Sequence, residues 1–452
     1  MSFAVLNPST EQVIRSIELA SAEEADAAIA KAHEAWPAWR ELAPGRRAEL
    51  LRAFADEVDA DLENLAGLEV ANSGHTIGNA RGEAGNVRDV LRYYAAAPER
   101  LCGKQIPVAG GLDVTFHEPL GVVGVIVPWN FPMPVAGWGF APALAAGNTV
   151  VLKPAENTPL TALRLAELAA RAGIPSGVFT VLPGLGDVVG QRFVDNPVVR
   201  KVVFTGSTRT GKRVMAGAAN SIKRVTLELG GKNSNIVFAD ADLERAAAAA
   251  PYGVFDNAGQ DCCARSNILV ERSAYERFLE LMEPVVRGFA VGDPARESTE
   301  MGPLISAAHR DKVRGYVDGA PVAYTGSAPQ GPGFWFPPTV LAPIAADHPA
   351  VTEEVFGPVV SVLPFDTEAE AITLANNTEY GLSGSLWTRD LGKGIRVSRG
   401  VRAGNLSVNS HSAVRYHTPF GGFGQSGIGR ELGPDAAEEF TETKNVFIST
   451  EE

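Results

Sequence analysis

The sequence predicts an α/β protein with two large domains, each built on a parallel sheet. From residue 121 onward, short β-rich runs alternate with Ala/Leu-rich helical stretches, the pattern of successive βαβ units. The runs are almost wholly apolar, as strands covered on both faces must be. At 452 residues the chain exceeds what one hydrophobic core serves, so two domains are expected.

Taken in order, Ser21 and Glu24 form a capping-box signature, and Ala25, Ala28, Ile29, Ala32, Ala35, Trp36 and Trp39 then recur at helical spacing. Leu51, Phe54, Ala55, Val58, Leu62 and Leu65 mark a second amphipathic helix. Polar and apolar residues alternate from Asp113 to Phe116 in a short strand-like arm. Strands are expected at 121–127, 149–152, 178–182, 201–204 and 224–229, with helices around 159–171 and 211–219. A second α/β series has strands at 268–270, 359–363, 383–388 and 404–409 and helices at 273–287, 367–376 and 389–399. The Gly/Pro-rich segment 318–338 reads as a loop, and residues 441–450 alternate as a terminal strand that needs a partner.

Composition narrows the function classes. A net charge of −13 with no dense Lys/Arg run argues against nucleic acid as a partner. The three cysteines, Cys102, Cys262 and Cys263, are no disulfide framework, so a reducing cytoplasm is the expected setting. The start carries no signal-peptide pattern, and no apolar run reaches the ~20 residues of a membrane span. The seven histidines show no metal-ligand spacing, so no metal is expected.

Candidate chemistry gathers at strand ends. Cys262 follows Gly259 and Gln260 on a turn with little bulk beside it, open to attack on a carbon from one side. Buried cysteine packing explains the same residues. Glu228 interrupts an apolar strand end before Gly230 and Gly231, where desolvation would raise its pKa and suit a general base. Asn130, held between Pro128 and Pro132, offers an amide donor to an oxyanion, although turn chemistry alone accounts for it too. Gly206 to Lys212 follows a buried strand and opens a helix, so its backbone N–H groups face an anion; Arg213 stands where a P-loop needs Ser or Thr. Lys153 and Glu156 lie just past another strand end, where open α/β sheets bind ligands, and Glu156 would accept from ribose hydroxyls and repel a 2′-phosphate.

Together these motifs resemble the NAD(P)-dependent aldehyde dehydrogenase superfamily along nearly the whole chain. The likeness rests on Leu-Glu-Leu-Gly-Gly-Lys at 227–232, Gly-Gln-Asp-Cys at 259–262, Pro-Trp-Asn-Phe-Pro at 128–132 and Phe-Thr-Gly-Ser-Thr at 204–208. Glu-Glu-Val-Phe-Gly-Pro at 353–358 and Pro-Phe-Gly-Gly-Phe at 419–423 complete it. The resemblance implies a cofactor-binding domain (1–104 and 121–228), a catalytic domain (229–438) and a β arm (105–120 and 439–452) that joins a homodimer or homotetramer. It implies Cys262 as nucleophile, Glu228 as base and Asn130 as oxyanion donor. Val127, Trp129, Lys153, Glu156, Gly206, Ser207, Gly211, Leu229, Glu354 and Phe356 would bind NAD, with NADP also open because similar sequences use both. Hydride transfer would leave a thioester on Cys262, which water activated by Glu228 releases as the acid. Coenzyme A transfer would not need that base, and a cysteine hydrolase would not need nicotinamide.

The chain departs from the family in three places. The residues before Asn7-Pro8 are expected to lack a hairpin many members carry, Gly139 replaces a lysine common after Trp138, and the 318–338 region is shorter than usual. Residues aligning with the aldehyde tunnel are Phe131, Val135, Trp138, Asp256, Asp261, Cys263, Val414 and Phe420. Asp256 and Asp261 would favour a cationic substrate, and the Gly-Gln-Asp-Cys spelling is similar to that of aminoaldehyde dehydrogenases. Arg415 points the other way, to a semialdehyde carrying a carboxylate.

Overall fold

The computed structural model describes residues 1–412 and 414–451. Two sheets dominate. The first runs in the order Gly427–Ile428, Arg224–Glu228, Val199–Thr205, Val122–Ile126, Thr149–Lys153, Phe179–Val181. All its pairings are parallel except that of Gly427–Ile428, where Gly427 lies opposite Glu228. The second runs Val322–Thr325, Thr339–Leu341, Val359–Phe365, Asn267–Glu271, Ser234–Val237, Ser383–Trp387, Asn405–Val408, again parallel except at its first strand. Helices cover the faces, so the central strands Val122–Ile126 and Thr149–Lys153 are buried at every residue. Phe140 packs between Phe54 and Phe179, with ring centroids 5.7 and 4.8 Å away. Each such buried ring contributes about 1.5–3 kcal/mol by leaving water.

A three-stranded antiparallel arm stands apart. Thr441–Ser449 pairs with all of Gly111–Pro119, which also pairs with Gln105–Ile106. The terminal strand thus finds the partner its alternation calls for. Leu112, Phe116, Phe447 and Ile448 stay 41–52% exposed on it. At the other end, Ser2–Leu6 and Val13–Glu18 form a hairpin around Asn7-Pro8.

The structure departs from the sequence expectations at several elements. The second helix is two helices, Pro44–Ala60 and Leu62–Ser73, broken where Asp61 turns to accept two bonds from Arg164 at 2.6 and 2.8 Å. The 318–338 segment is not wholly a loop. It contains the edge strand Val322–Thr325, paired with Thr339–Leu341, and exposed Val322 hides the usual strand signature. Pro132–Ala145 is a helix buried nearly all round, so it lacks the amphipathic period by which surface helices are recognised.

Candidate active site

The loop carrying Cys262 is held by buried amides. Asn257, Ala258 and Gly259 take successive left-handed conformations with φ of 49°, 54° and 71°. A Cβ at 259 would run into the carbonyl of Gly357, so only glycine fits there. Side chains hold this strained backbone in place. Gln260 Nε2 donates to Asn257 O at 3.1 Å while its Oε1 accepts from Ile305 N at 2.8 Å. Asn257 Nδ2 donates to Asn130 O at 2.8 Å, and Asn130 Nδ2 returns a bond to Gln260 O at 3.0 Å. Asn233 Nδ2 reaches Cys262 O at 2.7 Å and Ala264 O at 3.0 Å. Asn130 is thereby anchored through its main-chain carbonyl and through one N–H of its side-chain NH₂, which leaves the other N–H for a ligand.

Glu228 ends its strand 3% exposed, and neither carboxyl oxygen has a hydrogen-bond partner. Burial holds its pKa well above the usual carboxylate range, and the nearby Glu431 carboxyl adds to that against the pull of Arg430. Glu431 is itself buried with both oxygens unpartnered, and burial pushes it to about 8. The Cys262 thiol is also raised, first by its hydrogen bond with the Cys263 thiol and then by burial. Both groups are therefore biased toward their protonated forms, and a reactive thiolate requires a proton to leave.

Cys262, Glu228, Asn130 and Thr205 sit on the wall between two cavities. The first, about 350 Å³, is lined by all eight residues expected for the aldehyde tunnel: Phe131, Val135, Trp138, Asp256, Asp261, Cys263, Val414 and Phe420. Trp138 is fixed by a 2.8 Å bond from Nε1 to Asn86 Oδ1 and packs on Phe420 at 5.3 Å. Glu83, Asn79 and Asn86, on the helix Ile77–Tyr94, also line it. Among the described residues, no Lys, Arg or His does. Burial raises the pKa of Asp256 and Asp261, and Asp261 also raises that of Asp256, so their negative charge is weaker than the sequence alone suggests. Arg415 lines a separate groove beside Asn405–Val408 and so does not face the aldehyde cavity.

The second cavity, about 220 Å³, is lined by Trp129, Gly206, Ser207, Leu229, Glu354 and Phe356 on the far side of Cys262. Ser207 caps the helix Thr208–Ala218, leaving that helix's positive end toward the cavity. Glu354 Oε1 accepts from Gly231 N at 2.8 Å, and a Cβ at Gly230 would lie 2.7 Å from its Oε2. Glu156 lines a third cavity of about 360 Å³ with Gly186, Gly190, Arg209 and Thr210. A helix N-terminus between two carboxylate-bearing clefts fits a dinucleotide, with an anion cradle for pyrophosphate and acceptors for two riboses. Val127, Lys153 and Gly211 lie behind these walls. Val127 N donates to Lys153 O at 3.1 Å, Lys153 Nζ donates to Pro154 O and Gly184 O at 2.6 and 2.9 Å, and a Cβ at Gly211 would lie 2.5 Å from Leu229.

Sequence reading missed His309 and Lys312, which line the cofactor cavity from the helix Ala307–Val317. His309 Nε2 lies 2.7 Å from Phe356 O, and its ring meets Trp129 edge-on at 5.4 Å. Its one signal was an otherwise unexplained His beside an N-cap serine. Glu83 and Glu431 were also missed, because nothing nearby in sequence marks either as buried.

Comparison with known proteins agrees with this geometry. The family model described as "Aldehyde dehydrogenase family" matches residues 1–446. The chain is 41% identical to an aldehyde dehydrogenase of Emericella nidulans over 98% of this chain and 91% of that protein. It is 40% identical to a betaine aldehyde dehydrogenase of Bacillus subtilis, covering 99% and 94%. Among solved structures, an NAD+ complex of an aldehyde dehydrogenase from Bacillus cereus superposes with a TM-score of 0.97 at 40% identity, covering 100% of this chain and 94% of that one. With a thiol and a carboxylic acid set between an aldehyde-sized cavity and a dinucleotide cleft, the chain belongs to the aldehyde dehydrogenase family and is an NAD(P)-dependent aldehyde oxidoreductase.

Proposed function

We propose that this enzyme oxidises aldehydes to carboxylic acids through Cys262, with Glu228 as base and Asn130 as oxyanion donor. The observation that carries the reading is the placement of all three on the wall shared by the two cavities. Glu228, once ionised, takes the Cys262 proton, and the thiolate adds to the aldehyde carbon. The oxyanion accepts from Asn130 Nδ2 and the backbone N–H of Cys262. Bound NAD supplies the acceptor for the hydride and its two electrons, with Trp129, Phe356 and Glu354 holding its nicotinamide end and Ser207 and Glu156 its pyrophosphate and adenosine ribose. Collapse of the thiohemiacetal leaves a thioester on Cys262, and Glu228 then removes a proton from the water that hydrolyses it. Replacing Cys262 with Ser should abolish NADH formation, and full turnover by that variant would overturn the scheme.

An aminoaldehyde is the substrate class we favour. Besides Glu228, three carboxyl groups, Glu83, Asp256 and Asp261, and the rings of Phe131, Trp138 and Phe420 line a cavity without a cationic side chain among the described residues. Acids and aromatic faces both attract a cation. A kcat/KM for succinic semialdehyde well above that for γ-aminobutyraldehyde would defeat this choice.

Residues 1–104 and 121–228 form the cofactor unit and 229–438 the catalytic unit in this reading. The arm, 105–120 with 439–452, joins copies into a dimer or tetramer, for which its half-exposed apolar residues are suited. No helix among the described residues is long and apolar enough to cross a membrane. Sparse free cysteines fit a cytoplasmic enzyme.

A further inference from the structure

Behind the aldehyde cavity lies a buried cluster that the chemistry above does not use. His75, 3% exposed, directs Nδ1 at Glu83 Oε1 across 2.6 Å. Its ring meets Phe131 edge-on with centroids 5.4 Å apart. Glu69, fully buried on the helix Leu62–Ser73, brings a carboxylate oxygen into the same cluster, within 4.8 Å of the other two groups. Neither of its oxygens has a partner, and Glu83 Oε2 has none either. The short His75 to Glu83 contact is a hydrogen bond through Nδ1.

We propose that His75 is a positioning residue that holds a negatively charged Glu83 on the cavity wall and so makes the cavity select aldehydes with a cationic tail. This rests on the aldehyde-oxidising reading and deepens its substrate assignment. Asp256 and Asp261 are each weakened as anions by burial. Glu83 is the lining acid hydrogen-bonded directly to a basic side chain behind it. A buried carboxylate without such a partner neutralises itself instead. The groups facing His75 are Glu83 from its own side of the cavity, Glu69 from the preceding helix and Asp256 from the nucleophile loop. Ser73 and Thr161 reach Glu69 as neutral neighbours. Burial opposes a charge on His75, but Glu83, with Glu69 and Asp256 behind it, outweighs that and raises it to about 9. The imidazolium thus persists below that pH and is lost above it. His75 also supports Phe131, so one side chain orders an acid and an aromatic face on the same wall.

The test compares betaine aldehyde, whose charge does not titrate, with its uncharged carbon isostere tert-butylacetaldehyde, in the full-length enzyme with NAD. In the wild type the KM for the cation should lie below that for the isostere. His75→Gln should raise the cation's KM about tenfold at neutral pH, the order expected for one half-screened charge pair, and leave the isostere's KM and both kcat values near their original levels. His75→Lys should restore the preference at neutral pH. Should H75Q not fold, Glu83→Gln provides the same loss without touching the imidazole. If H75Q or E83Q keeps the full preference, or if both aldehydes weaken together, the role assigned to His75 falls. If the wild type itself shows no preference for the cation, the aminoaldehyde reading falls and takes this one with it. The two failures are thus separated by the wild-type measurement.

Discussion

Glu228→Gln separates the two halves of the reaction and gives a stability signal of opposite sign. The carboxyl is buried, unpartnered and pushed toward its protonated form by burial and by Glu431. An amide of the same shape therefore replaces a neutral acid with a neutral group and opens no cavity. Its folded-state pKa lies above the unfolded value of about 4.3, so the wild type loses stability as pH rises from there through the folded pKa. Each unit of that upward shift is about 1.4 kcal/mol, which the variant no longer loses. E228Q should therefore match wild type in acid, and at pH 8 its thermal midpoint should rise by roughly 1–3 °C. Activity goes the other way. Loss of a positioned base costs about 10²–10⁴ in turnover. Stopped-flow absorbance should still show NADH released before the slow step if the acyl enzyme forms with another base, and steady-state turnover should collapse in either case. Wild-type turnover in E228Q, or a variant that melts several degrees lower at pH 8, would refute both the assignment and the electrostatic argument.

Three further outcomes follow from the same geometry. Because Cys262 and Glu228 are both raised, kcat/KM should climb as the pH is raised, and Glu431→Gln should move that rise to lower pH by relieving Glu228; an unmoved profile in E431Q would break the coupling. Asn130→Ala should lower kcat by about 10²–10³, as for loss of one oxyanion donor, with KM for NAD little changed in a steady-state assay. Gln260→Ala leaves the Ile305 N–H unpaired and frees the left-handed loop, so we expect about 2–4 kcal/mol of destabilisation in urea titration together with a large loss of activity.

Much of this was legible in the sequence where short-range pattern and function coincide. Buried runs such as 121–127 and 201–204 are strands because covering both faces demands unbroken apolar residues. The helix Pro132–Ala145 and the strand Ser234–Val237 were missed because burial erases the period that marks a helix and short length blurs a strand. The site followed the same divide. Cys262, Glu228 and Asn130 each lie in a distinctive local motif, whereas Glu83, His309 and Glu431 matter through neighbours far away in the chain. Lys153, placed at a strand end by sequence, turns its ammonium to two backbone carbonyls, a choice set by burial that no spacing reveals.

Gly427–Ile428 completes the edge of the first sheet beside Glu228, and Gly421 borders the same carboxyl. A ribosome therefore exposes the thiol more than 150 residues before it delivers the wall around its acid. Nascent or prematurely terminated chains would carry a cysteine but an incomplete pocket, and reactive aldehydes would be processed only once residues 421–428 have been made.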